Sequence, residues 1–174
     1  MKFSSTNQPK QVHPKDQRYK VFVYGSLLKD FSNHHRLKSQ STIFLGEGTI
    51  RANLYTTNWA FPFITLSNNN DNKVKGEIYE INYATLLSLD NLEGYNPKRK
   101  DNFYTRKIVT TTISYSMVFN NSTKVKVLVY TGNSSHIQSF NMQNYRQCNH
   151  IIDGDWRKAK NEYDEEFNLR IKYL

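Results

Sequence analysis

The stretch VKGEIYEINYATLLSLDNLEG, Val74 to Gly94, decides how the rest of the chain is read. Its first eight residues mix apolar and polar side chains at a strand-like rhythm, and the next thirteen change to a helical one. Asn82 stands where the helix starts, as an N-cap residue, and Gly94 stands where a left-handed residue ends it. At about 100° per residue, Leu86, Leu89 and Leu92 form one apolar stripe, and Glu93, seven residues after Leu86, falls within it. A carboxylate at the core edge of a helix is costly unless it has partners, and partial burial raises its proton affinity into the range of a base working near neutral pH. From helix position alone, a solvated glutamate at a fraying last turn is the simpler reading. Glu77 and Glu80 in the strand differ in parity, so they point to opposite faces and read as structural or exposed.

Outward from this segment, strands dominate. On the N-terminal side, Tyr19 to Tyr24 is rich in valine and aromatic residues and reads as a strand broken by Gly25. STIFLGEGTIRANLY (Ser41–Tyr55) reads as a strand bent at Gly46 and Gly48, and Pro62 in AFPFITLS marks an edge or irregular strand. On the C-terminal side, YTRKIVTTTISYSMVF and KVKVLVYTG read as a hairpin turning at Asn120-Asn121, and a charged helix is expected near the end of the chain. With no βαβ rhythm and few, short helices, the fold class is α+β: a small mixed β-barrel with a few short helices. The expected organisation is a flexible polar arm over 1–18, one domain over 19–157, and a charged helix or tail over 158–174.

Composition narrows the function classes. The chain has 174 residues, enough for a single packed core. One cysteine, Cys148, cannot build a disulfide framework or a multi-cysteine zinc site, and the adjacent His34 and His35 cannot share a metal from one element face. No metal and no cofactor is expected, since neither a dinucleotide nor a Walker glycine pattern occurs. The first residues lack the apolar centre of a signal peptide and no apolar run spans a bilayer, so a cytoplasmic protein without a membrane partner is expected. The net charge of +9 is scattered, with Lys98-Arg99-Lys100 as its densest cluster, which argues against nucleic acid as the partner. Oligomeric state is not legible.

The turn Tyr24-Gly25-Ser26-Leu27 remains. Ser26 after a strand suggests a nucleophile elbow, but that arrangement needs a second glycine two residues on, where Leu28 stands. A strand ending in glycine can expose successive N–H groups that suit a carboxylate or an oxyanion; on the fragment alone an ordinary strand–loop turn is the simpler reading.

In their order and spacing, VFVYGSLLKDFSNHHRL, VKGEIYEI, LLSLDNLEGY and YTRKIVT, with a further echo in GDWR (Gly154–Arg157), resemble the γ-glutamylcyclotransferase-like superfamily, most closely its γ-glutamylamine branch. The resemblance covers about residues 19–132. It implies that Glu93 is the catalytic glutamate and that Tyr24, Gly25, Ser26 and Leu27 bind substrate. The segment after the turn keeps Asn33 but carries Asp30-Phe31 where relatives often have Arg-Gly, so the substrate preference within the family stays open. The chemistry implied is attack of a γ-glutamyl compound's own α-amine on its γ-amide, releasing 5-oxoproline and a free amine. Ring closure within one molecule needs a fixed conformer and one base. Tyr104 and Tyr130, on strands near the expected barrel opening, can hydrogen-bond substrate or simply pack the rim. A non-catalytic module on the same fold, one that binds a small acidic metabolite without turning it over or serves an interaction, is the alternative reading.

Overall fold

A computed structural model describes residues 17–57, 61–115, 123–132 and 148–172. Among the described residues there are seven strands: β1 (Arg18–Val23), β2 (Ile43–Thr57), β3 (Phe61–Leu66), β4 (Lys73–Asn82), β5 (Tyr104–Tyr115), β6 (Thr123–Gly132) and β7 (Cys148–Ile151). Two α-helices, α1 (Tyr83–Leu92) and α2 (Trp156–Lys172), and a 3-10 turn at His34–Leu37 complete the described elements.

The strands run in the order β3-β2-β4-β1-β6-β5, and β2 pairs with β5 as well, so β2-β4-β1-β6-β5 close into a five-stranded barrel. The β1–β6 contact is parallel and the other barrel pairings are antiparallel, which makes the barrel mixed. The α+β barrel read from the sequence is the fold observed.

Local chemistry explains each piece. β2 is long enough to serve four neighbours because it is irregular. Its register shifts between Phe44 and Gly46 against β4, and between Glu47 and Gly48 against β5, so the glycines mark bulges that bend it around the barrel. β3 carries Pro62 and, among the described residues, pairs with β2 alone, as an edge strand does, and β7 adds to β2 from the far end of the chain. The strand β1 is central, lying between β4 and β6, and Val21, Phe22, Val23 and Tyr24 are all buried; consecutive burial is the mark of a strand covered on both faces. β5 and β6 pair in register from Tyr104↔Gly132 to Ile113↔Thr123, while the Asn120-Asn121 turn lies outside the described residues. The arm over 1–18 also lies outside them, except for its last two residues, of which Arg18 already opens β1.

The core joins barrel and helix. Phe22, Leu54, Ile64, Ile78, Ile81, Val127 and Val129 fill it together with Leu86 and Leu89 of α1, which packs across β4 and β1. α1 starts as its sequence dictates: the Asn82 side chain accepts the Thr85 N–H at 2.8 Å. It ends in a Schellman arrangement, with Tyr95 N–H donating to Asp90 C=O at 2.8 Å and Gly94 N–H to Asn91 C=O at 3.3 Å. Gly94, at φ 61°, supplies the left-handed residue. The last residue before it, Glu93, is thereby held at the helix end instead of fraying. Among the described residues no helix is long and apolar enough to cross a membrane, which says nothing of strands.

Candidate functional site

The end of β1 and the end of α1 face each other across a cavity of about 370 Å³, within the usual range for a small-molecule site. Val23, Tyr24, Gly25, Ser26 and Leu27 line one side, and Leu92, Glu93 and Gly94 line the other. Tyr104 and Tyr130 also line it, with Phe22, Phe61, Pro62 and Phe103 as apolar lining. All the site residues expected from the sequence therefore border one cavity.

The turn is built from its own backbone. Leu28 N–H donates to Gly25 C=O at 2.9 Å, and Asn33 N–H returns to Ser26 C=O at 3.0 Å. Asn33 also donates from its amide to the Ser26 hydroxyl at 2.9 Å. A ring nitrogen of His34, Nδ1, lies 3.0 Å from the Leu27 carbonyl, so this histidine braces the turn. Among the described residues, the N–H groups of Gly25, Ser26 and Leu27 meet no acceptor. Donors of this kind at a cavity wall suit an anionic group. A Cβ on Gly25 would stand 2.7 Å from Cγ of Pro62, so glycine is needed for the close approach of β3 that forms the wall.

A second carboxylate holds the turn from behind. Glu77 is buried and accepts three hydrogen bonds: from Lys29 N–H at 2.9 Å, from Tyr79 Oη at 2.8 Å and from Arg157 Nη2 at 2.8 Å. Arg157 also donates to Lys29 C=O at 2.8 Å and lies over the Phe31 ring. It belongs to α2, which is tied to β4 by Lys75 N–H donating to Gly154 C=O at 2.9 Å. The GDWR segment thus acts as a clamp on the loop after the turn. Glu80, on the opposite face of β4, pairs with Arg18 and Lys20. Both glutamates are structural, as their parity suggested.

Glu93 differs from these two. Its carboxyl is pushed up to about 7 because its surroundings take water away from it. It sits in a concave, ring-walled cavity at the negative end of a helix, where a full negative charge is least welcome. The phenols of the cavity are also held protonated: burial raises Tyr24, Tyr104 and Tyr130 well above the ordinary tyrosine range. Each phenol donates its proton to a protein acceptor, Tyr24 to Tyr130 C=O at 2.9 Å, Tyr104 to Pro62 C=O at 2.9 Å, and Tyr130 to Asp90 at 2.6 Å. Glu93 is therefore the group in this cavity best able to take and return a proton near neutral pH.

Asp90 and its partner Arg106 do not stand out in the sequence. Arg106 Nη1 lies 2.7 Å and 2.6 Å from the two Asp90 oxygens, and the guanidinium lies 4.9 Å from the centre of the Tyr95 ring. Asp90 sits on the helix, as a surface residue would, and only the fold brings β5 and β6 against it.

A family model described as gamma-glutamyl cyclotransferase, AIG2-like, matches residues 21–158. Among curated proteins, a γ-L-glutamyl-butirosin B γ-glutamyl cyclotransferase of Niallia circulans is 33% identical over 75 residues, 43% of this chain and 46% of the relative. A Methanocaldococcus jannaschii protein named as a candidate γ-glutamylcyclotransferase is 34% identical over 90 residues, 52% of this chain and 69% of the relative. One from Drosophila melanogaster, named likewise, is 34% identical over 82 residues, 44% of this chain and 52% of the relative. Most of these matches span about half of the relative's length. Among solved structures, YkqA of Bacillus subtilis superposes with a TM-score of 0.60 at 19% identity, covering 86% of this chain and 43% of that one. An AIG2-like protein of Mus musculus superposes with a TM-score of 0.55 at 24% identity, covering 67% of this chain and 78% of that one. The two structures share the fold, and the family model covers most of the barrel, both sides of the cavity and the start of α2: this chain belongs to the gamma-glutamyl cyclotransferase, AIG2-like family.

Proposed function

We propose that the protein is a γ-glutamyl cyclotransferase that acts on a γ-glutamyl amine or a related γ-glutamyl compound and releases 5-oxoproline and a free amine. The observation that carries the reading is Glu93, a carboxylate with proton affinity near neutral, facing a turn of open N–H donors across one small cavity. The substrate's α-carboxylate rests on the N–H groups of Gly25 to Leu27. Ionised Glu93 removes a proton from the α-ammonium, and the neutral amine attacks the γ-carbonyl of the same molecule. The C–N bond of the ring forms, the bond to the leaving amine breaks, and the two protons lost by the α-nitrogen go to the leaving nitrogen, the first carried by Glu93, so that it departs as an ammonium. Both reacting groups belong to one substrate, so the site supplies conformation and a single proton carrier. Phe61, Phe103 and Leu92 give the cavity apolar lining that would suit the substituent of an amine better than a charged amino acid.

The test is a panel of γ-glutamyl amines, γ-glutamyl amino acids and γ-glutamyl peptides incubated with wild type and Glu93→Gln, with 5-oxoproline measured. Release by wild type and not by the variant is expected. A wild type that releases none, while both proteins bind the compounds equally, makes the protein a binder and removes the catalytic reading.

A further inference from the structure

Asp90 stands three residues before Glu93 on the same helix, and its carboxylate is turned away from the cavity into a buried network. It is 8% exposed, accepts from the Tyr130 hydroxyl at 2.6 Å and pairs with Arg106. Its main-chain carbonyl accepts the Tyr95 N–H of the helix cap at 2.8 Å, and Arg106 covers the Tyr95 ring. The residue thus grips the end of α1 through side chain and main chain together. On the other side of the network, Tyr130 C=O accepts the Tyr24 hydroxyl at 2.9 Å. Two hydrogen bonds therefore connect the helix that carries Glu93 to the residue that opens the turn.

A buried ion pair is a poor means of adding stability, because desolvating both charges costs about as much as their attraction returns. What such a pair does supply is a fixed geometry. We propose that Asp90 is a positioning residue for the reaction: through Tyr130 and Arg106 it sets the span between Glu93 and the Tyr24–Leu27 turn. The kinetic part of this inference rests on the cyclotransferase reading; the structural part does not.

If the strut is cut, the end of α1 loosens and water reaches Glu93. Tyr24 from the turn and Tyr104 from β5 interact electrostatically with Glu93, Tyr130 from β6 lines the same cavity, and Asp90 and Arg106 form the network that holds Tyr130. The proton affinity of Glu93 is raised by loss of water, so hydration lowers it. Three variants separate the contributions: Asp90→Ala removes charge and bonds, Asp90→Asn keeps an acceptor for Tyr130, and Tyr130→Phe keeps the Asp90 charge while severing the strut. The measurement is the carbon-13 NMR titration of the Glu93 carboxyl, beside thermal denaturation and the pH dependence of kcat/KM. In Tyr130→Phe and Asp90→Ala the Glu93 midpoint is expected to fall from about 7 by about a unit or more, with Asp90→Asn between them and wild type. The acid limb of kcat/KM moves down with it, and kcat drops by about 10–100-fold with a smaller change in KM, as expected for a misplaced base. An unchanged midpoint in Tyr130→Phe overturns the proposal, and that variant decides it even if Asp90→Ala does not fold. Activity lost only in proportion to unfolded protein also overturns it. A wild type that makes no 5-oxoproline overturns the cyclotransferase reading instead, and leaves the NMR titration to judge the strut.

Discussion

At residue 93 the helix end, the cavity wall and the nearby rings all work against a negative charge. Replacing the carboxylate by its amide in Glu93→Gln should lower kcat/KM by about 10²–10⁴-fold while the circular dichroism spectrum stays that of wild type. The proposed reaction needs Glu93 ionised, so in the wild type kcat/KM should fall about tenfold per unit as pH drops below about 7. The same feature carries a stability cost whose sign runs opposite to that of a salt-bridged carboxylate. The folded protein holds the Glu93 proton up to about pH 7 and the unfolded chain releases it near 4.5, so stability falls as pH rises through that interval. The full cost, on the order of 1–3 kcal/mol, is present above pH 7. Thermal denaturation at pH 8 should therefore show Glu93→Gln more stable than wild type, by a few degrees, with the advantage gone at pH 4. Equal melting temperatures at pH 8 would contradict the burial of this charge. Glu93 was visible in the sequence as a misfit in an apolar stripe. Asp90 was not, because a polar residue off that stripe looks the same whether it meets water or a buried arginine.

The elements of the site differ in how they are held. α1 carries its own start and stop signals, Asn82 and Gly94, so its extent could be read locally. The turn after β1 depends on distant support: Glu77 of β4 and Arg157 of α2 bind the two sides of the Lys29 peptide. Nothing within residues 24 to 31 announces those partners, and GDWR was recognisable only as an echo of relatives. Arg157→Met should leave the buried Glu77 with one partner fewer, lower stability by about 1–3 kcal/mol and let the turn drift. In the proposed reaction the turn binds substrate while Glu93 lies on another element, so KM should rise severalfold with kcat nearly retained. A fall in kcat at unchanged KM would show that the clamp acts on the base instead. The β5–β6 hairpin and the bends of β2 were equally local signals, whereas the addition of β3 and β7 to β2 was hidden, since a short strand does not name its neighbour.

Across the whole molecule, the parallel contact of β1 with β6 is what a strand list cannot supply. It places the first described strand beside one more than a hundred residues later, and the Tyr24–Tyr130 hydrogen bond, 106 residues apart in sequence, sits at that seam. Closure of a loop of that size is an entropic expense met before its contacts return anything. Local pieces such as α1 and the β5–β6 hairpin can form early, but the seam cannot. In pulse-labelled refolding, the amides of β5 and β6 should gain protection before those of β1, and ligand-binding capacity should return in the same kinetic phase as β1. If β1 became protected first, the seam would not be the late step. A nascent chain would then have both halves of its cavity synthesised, Tyr24 to Leu27 and Glu93, well before β6 exists to bring them together. Competence would arrive in one step, with the strand that carries Tyr130.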